Sequence, residues 1–188
     1  MILFMIRHGQ TQANVEDLLY GQLEYPLTEA GCAQAAALQP LLANYQFDRV
    51  YSSDLGRAVQ TAKLAIPGCE PIQTPLLREY DIGTIAPIKR ADFYAHYRHL
   101  LGNYSSVGGE DNKDVKHRLG EFLHQLEADP QPYVAAFSHN GTIRCLMRMI
   151  IGEGINSTAL QSNNCNVAVF RYENENWKLA AWNLAGDL

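Results

Sequence analysis

Short strand-like segments alternate with helix-spaced segments through the first 150 residues, and three of those segments end in a polar turn that contains glycine. The first run, Met1-Ile-Leu-Phe-Met-Ile6, leads into Arg7-His8-Gly9-Gln10-Thr11. The second, Phe47 to Tyr51, leads into Ser52-Ser53-Asp54-Leu55-Gly56-Arg57. The third, Tyr133 to Ser138, leads into His139-Asn140-Gly141-Thr142. The near-continuous apolar character of the first and third suits strands buried on both faces, and strands that alternate with helices suit a parallel sheet. Near the C-terminus, residues 167–172 and 177–182 alternate in polarity around Glu-Asn-Glu-Asn, which reads as a β-hairpin. The expected fold class is therefore α/β: three layers, a mainly parallel sheet with helices on both faces, and an antiparallel edge.

The helices are expected at 29–43 behind a Thr28 N-cap, from Ser53 or Asp54 to about Ala65, at 91–101, at 114–126 and from Thr142 to about Gly152; residues 70–74 read as a short strand. No repeat, low-complexity tract or linker interrupts the pattern, so one domain over residues 1–188 is expected. Strand ends of this kind are where ligands collect in open α/β sheets. If the three strands are parallel neighbours, His8, Arg57 and His139 meet in one crevice. Arg57 then lies in the first turn of its helix, where unpaired N–H groups already favour anions.

Charge limits the partners. With a net charge of −5, the chain lacks the basic surplus that a nucleic-acid binder uses to neutralise phosphates. A local basic pocket in an acidic body remains compatible with a small anionic substrate. The six apolar residues before Arg7 are too short for a membrane helix and lack the pattern of a signal peptide, and no later window reaches membrane length. Cys32, Cys69, Cys145 and Cys165 are scattered, with no Cys-x-x-Cys, as expected of reduced thiols in a cytoplasmic protein. His96, His99, His117 and His124 fall within or beside helices and read as ordinary surface or core residues, whereas His8 and His139 stand between buried strands and glycine turns.

The Arg7-His8-Gly9-Gln10-Thr11 stretch resembles the signature of the histidine phosphatase superfamily, the phosphoglycerate-mutase-like enzymes. Further blocks are similar to that family in the family's order. They are Gly21-Gln22 with Pro26-Leu27-Thr28 and Gly31, Tyr51 to Ala62 around Arg57, Leu77-Arg78-Glu79-Tyr80-Asp81-Ile82-Gly83, Gly109-Glu110 through Arg118, and Phe137-Ser138-His139-Asn140-Gly141. The resemblance runs from the N-terminus to about residue 145. It implies that neutral His8 attacks phosphorus to give a phosphohistidine, that Arg7, Arg57 and His139 hold the phosphoryl oxygens, and that Glu79 is the general acid and later the base. It further implies that Asn14, Gln22 and Gly141 bind substrate, that the substrate is a small phosphomonoester, and that neither a cofactor nor a metal is used. Asp81 and Glu110 are the substitutes for Glu79, which otherwise is a surface carboxylate paired with Arg78 or a neighbour.

Departures from the family bear on the reaction. Family mutases carry an insertion near the acid, a paired arginine for the substrate carboxylate and a Glu-Arg-x-Tyr-Gly at the acid. This chain has only Lys89-Arg90 and the aromatic residues Phe93, Tyr94, Tyr97 and Tyr104 between Glu79 and Gly109. Many family phosphatases have Trp-Glu-Gly after the acid's glycine, where this chain reads Gly83-Thr84-Ile85-Ala86-Pro87. Hydrolysis is therefore expected over mutase transfer. A non-catalytic phosphate-binding protein of the same fold, and a metallohydrolase using His8 and His139, are the other classes. Residues 91–108 are either a lid over the leaving group or the buried face of a helix. Substrate identity and oligomeric state are not legible.

Overall fold

The computed structural model describes residues 1–155 and 160–184; residues 156–159 and 185–188 of the expected 1–188 domain lie outside the described residues. In chain order the elements are β1 (Ile2–Arg7), α1 (Gln12–Val15), β2 (Leu18–Leu19), α2 (Glu29–Ala36), α3 (Gln39–Leu42), β3 (Arg49–Ser53), α4 (Gly56–Ala65), β4 (Ile72–Thr74), β5 (Ile88–Lys89), α5 (Arg90–Asp92), α6 (Asn112–Ala128), β6 (Tyr133–Ser138), α7 (Asn140–Ile151), β7 (Val167–Glu173) and β8 (Asn176–Ala181). Six strands form one sheet in the order β4-β3-β6-β1-β7-β8. The first four are parallel, and β7 and β8 join antiparallel. The expected mainly parallel sheet with an antiparallel edge is the fold observed. β2 and β5 make a separate two-stranded sheet.

Strand alternation divides the interior in two. Leu3, Met5, Val134, Ala136, Ala168 and Phe170 face a core completed by α6 and α7 residues such as Leu119, Phe122, Ile143 and Leu146. Phe4, Ile6, Ala135, Phe137, Val167 and Val169 face a second core completed by Ala35, Leu38, Ala58 and Ala62 of the α2–α4 side. Both faces of β1 and β6 are thus apolar, which is why these strands read as unbroken hydrophobic runs. Register is close: Ile2 pairs with Tyr133 and Arg7 with Ser138, while Arg49 pairs with Val134. β1, β3 and β6 therefore end together, and the residues that follow them share one rim.

Three elements differ from the sequence expectation. The helix expected over 29–43 begins as foreseen, with Thr28 Oγ1 accepting from Gly31 N at 3.0 Å, but it is two helices, α2 and α3. Pro40 explains the break, because it has no N–H for the Ala36 carbonyl and its ring crowds that oxygen. The helix after β3 is capped neither by Ser53 nor by Asp54: its N-cap is Leu55, and Ser53 is the last strand residue. Residues 91–101 are not one helix but a single α turn, a π-type turn over Phe93–Tyr97 and a 3₁₀ turn over Arg98–Leu100. Aromatic residues and histidine are weak helix formers, and within these turns only Phe93 is buried, so no apolar stripe enforces a regular repeat. The C-terminal hairpin forms as expected; Asn174 and Glu175 at its turn have φ of 49° and 59°, the twist that a two-residue hairpin needs.

Candidate active site

The rim formed by the ends of β1 and β6 opens into a cavity of about 460 Å³. Arg7, His8, Asn14, Arg57, Glu79 and Gly141 line it, and His139 and Gln22 stand behind its wall.

His8 is held in one tautomer. Its Nδ1 lies 2.7 Å from the Gly9 carbonyl oxygen, which only accepts, so Nδ1 carries the proton and Nε2 presents a lone pair. The Gly9 turn is fixed from below: its N–H donates to Thr61 Oγ1 at 3.0 Å, and Thr61 donates to the Arg57 carbonyl at 2.7 Å. No side chain fits at this crossing, since a Cβ on Gly9 would come within 2.4 Å of Gly31 O and one on Gly31 within 2.0 Å of Gln10 O. Burial, and then Arg57 and Arg7, hold the His8 pKa well below that of a free histidine. The imidazole is neutral, and neutrality is what a nitrogen nucleophile requires.

Arg57 is the largest fully buried side chain among the described residues. Its Nη1 donates to Leu23 O (2.9 Å), its Nη2 to Gly21 O (2.8 Å) and its Nε to His139 Nδ1 (3.2 Å), and its guanidinium lies 4.7 Å over the Tyr20 ring. Because His139 Nδ1 accepts, Nε2 carries the proton and donates to Ser53 Oγ at 2.9 Å. Both nitrogens of His139 are thus engaged, and its ring, fully buried 5.2 Å from that of His8, orients Arg57. Burial, then Arg57, lower the His139 pKa well below the ordinary value. Arg7 donates through Nη1 to Ser162 O at 2.8 Å, while its buried Nε has no hydrogen-bond partner among the described residues.

Glu79 comes from an irregular segment between two 3₁₀ turns and is clasped by the start of α7. Oε2 accepts from Gly141 N (2.9 Å), and Oε1 from Thr142 N (3.1 Å) and Tyr80 N (2.9 Å). It is not paired with Arg78, which binds Asp54 at 2.6 and 2.7 Å. Neither Asp81 nor Glu110 lines the cavity; Glu110 pairs with Arg118 at 2.9 Å. Arg118 and Gln22 both donate to the Glu79 carbonyl, and Gln22 Oε1 accepts from Arg78. Gln22 therefore braces the acid-bearing segment from outside the cavity.

Asn14 is oriented by its neighbours. Its Oδ1 accepts from Thr11 N (3.0 Å), Thr11 Oγ1 (3.1 Å) and Asn164 Nδ2 (3.2 Å), which turns its amide N–H₂ toward the cavity. Asn164 also donates to the His8 carbonyl at 3.1 Å. Sequence reasoning missed Asn164, Thr61 and Tyr20. Thr61 follows Arg57 by four residues on one helix, a spacing that was available; Asn164 and Tyr20 reach the site only through tertiary packing.

The outer cavity has a mixed wall. Leu18, Leu19, Ile82, Tyr94 and Tyr104 are apolar; Arg90, Arg144 and Arg148 are cationic. The aromatic stretch divides: Phe93 and Tyr104 are buried in the core, Tyr94 is exposed at the cavity, and Tyr97 is exposed away from it. Among the described residues, no group of three or more His, Cys, Asp or Glu side chains is placed to hold a metal ion. No helix among them is long and apolar enough to cross a membrane.

This sheet with its rim of histidines and arginines has clear relatives. The model of the histidine phosphatase superfamily (branch 1) matches residues 3–185, and the chain belongs to that superfamily. Among curated proteins it is 30% identical over 200 residues to "Probable phosphoglycerate mutase GpmB" of Cronobacter sakazakii, covering 99% of this chain and 93% of that one. Among solved structures it superposes on a mycobacterial glucosyl-3-phosphoglycerate phosphatase in complex with VO3, with a TM-score of 0.85, 28% identity, and coverage of 97% and 98%. It also matches the α-ribazole phosphatase of Shigella flexneri, with a TM-score of 0.83, 26% identity, and coverage of 97% and 96%.

Proposed function

We propose that this chain is a phosphomonoester hydrolase that works through a phosphohistidine on His8, without a cofactor or metal. The observation that carries the reading is the tautomer lock: the Gly9 carbonyl accepts a hydrogen bond from Nδ1–H, which leaves an unprotonated Nε2 at the cavity floor. The phosphoryl group lies between Arg7, the free N–H groups of Arg57 and the Asn14 amide. Nε2 forms a bond to phosphorus as the ester P–O bond breaks, and Glu79 gives its proton to the departing oxygen. Water then attacks phosphorus, Glu79 takes a proton from it, and inorganic phosphate leaves. His139 contributes by orienting Arg57 rather than by touching the phosphoryl oxygens. Outside the grip, the cavity admits a leaving group with an apolar body.

Phosphoglycerate mutase-type transfer is the second reading, and the GpmB relative favours it. The four free cysteines support a reducing compartment such as the cytoplasm.

The test is phosphate release from p-nitrophenyl phosphate by the wild type and by His8→Ala, with ³¹P NMR of the alkali-quenched enzyme and a coupled mutase assay. The expected result is turnover, a phosphohistidine signal, loss of both in the variant, and no mutase flux. A His8→Ala chain that turns over at the wild-type rate rules out the nucleophile.

A further inference from the structure

We propose that Tyr20 is a catalytic residue: its phenol donates a hydrogen bond to a non-bridging oxygen of the phosphoryl group while that group moves onto His8. This rests on the phosphohistidine reading above. Tyr20 is buried at the cavity floor, with its hydroxyl 3.5 Å from His8 Nε2 and 3.1 Å from Thr11 Oγ1. A phosphorus poised for attack sits about 3–3.5 Å from its nucleophile. A hydroxyl at that radius from Nε2 flanks the equatorial oxygens.

The direction of the hydrogen bond follows from the neighbours. Asn14 Oδ1 only accepts, so Thr11 gives it its proton; Thr11 Oγ1 then has only lone pairs to offer Tyr20. His8 Nε2 also offers a lone pair, since the ring proton is on Nδ1. Tyr20 is therefore the donor toward both neighbours, and no hydroxyl proton points back at it. An arriving phosphoryl oxygen, more negative than either acceptor, takes that hydrogen bond. The proton stays on Tyr20 throughout: the only bonds that change are Nε2–P, formed, and P–O of the ester, broken, with the ester oxygen protonated by Glu79.

The site has use for this donor. A guanidinium has five N–H groups, and Arg57 directs three of them at His139, Gly21 and Leu23. The Arg57 guanidinium also lies over the Tyr20 ring, 4.7 Å from its centroid. That contact fixes the phenol's axis, so its hydroxyl is held in place before substrate binds.

Tyr20→Phe keeps the ring, its packing and its contact with Arg57 while removing the hydroxyl and its bond to Thr11 Oγ1, so a purely structural role predicts a lower melting temperature and no selective loss of vanadate over phosphate binding. The assay is kcat/KM for phenyl phosphate, with inhibition by vanadate, which mimics the five-coordinate transition state, and by inorganic phosphate, which does not. Melting curves set the assay temperature below the transition of both proteins. The expected result is a loss of about 10- to 100-fold in kcat/KM, a matching loss in vanadate affinity, and a change within about threefold for phosphate. Wild-type kcat/KM and vanadate affinity in Tyr20→Phe overturn the proposal while leaving the phosphatase reading intact. A wild-type chain that releases no phosphate from any monoester overturns the phosphatase reading instead.

Discussion

Replacing Gly141 by alanine separates the chemistry of Glu79 from the stability of the fold. Gly141 is the second residue of α7 and has an ordinary helical backbone, so alanine fits the main chain and gains up to about 1 kcal/mol of helix propensity. Its Cβ, however, would stand 2.5 Å from Glu79 Oε1, 3.1 Å from Glu79 Cδ and 3.0 Å from Tyr80 Cδ2. The carboxyl group has to withdraw, which stretches its bonds to Gly141 N and Thr142 N. A hydrogen bond contributes about 0.5–1.5 kcal/mol net, and Glu79 borders an open cavity, where water restores part of that. The net destabilisation expected is about 1–2 kcal/mol, read from urea melts. Activity should fall further, because a misplaced general acid costs on the order of 10²–10⁴. kcat/KM reports every step through departure of the leaving group. It should drop about 100-fold for phenyl phosphate, whose oxygen needs a proton, and stay near wild type for p-nitrophenyl phosphate, whose leaving group does not. Equal losses on the two esters, or no loss on either, would refute the placement of the acid.

Other outcomes follow from the same geometry. Both buried histidines are held neutral, by burial first and Arg57 next. Unfolded, each takes up a proton near pH 6.5 that the folded chain refuses, so stability should fall as pH drops from 6.5 by about 1.4 kcal/mol per unit per histidine. Urea melts between pH 7 and 5.5 check this, and a flat profile contradicts it; His8→Ala should flatten the slope by about half. Thr61→Val leaves the buried Gly9 N–H without an acceptor and should cost about 1–3 kcal/mol in thermal melts, with a loss of kcat as the His8 turn loosens. Gln22→Ala removes one of the two side-chain donors to the Glu79 carbonyl and its link to Arg78, leaving Arg118, so kcat for phenyl phosphate should fall about 10-fold with KM little changed; a KM effect alone would instead place Gln22 on the substrate.

β1 and β6 were legible because burial on both faces leaves an unmistakable composition, and because glycine follows or ends each polar turn. The meeting of His8 and Arg57 was legible once the strands were taken as parallel neighbours, with His139 expected beside them; Glu79 entered only through the family resemblance. What His139 does was not legible: its contacts with Arg57 and Ser53 span more than eighty residues of chain, and only packing reveals that its ring nitrogens are already engaged. Tyr20 was hidden by its neighbour, since the glycine beside it drew the attention of the motif. The broken helix at Pro40 was readable in principle, but the alanine-rich run before it masked the one residue that mattered. Residues 91–101 failed for a different reason: a cavity wall that buries one aromatic ring and exposes the next has no period for sequence to display.

The proposed nucleophile and the proposed acid are mounted differently. His8 directly follows a central strand hydrogen-bonded on both sides, whereas Glu79 sits on an irregular segment held by a few side-chain and helix-terminus bonds. Regions of that second kind open locally at a lower free energy than a central strand does. Warming or mild denaturant should therefore idle the acid before it disturbs the nucleophile. With an ester that leaves unaided, the chain would then still load phosphate and fail to unload it. It would stall as a phosphorylated protein, detectable as a single burst of product followed by silence.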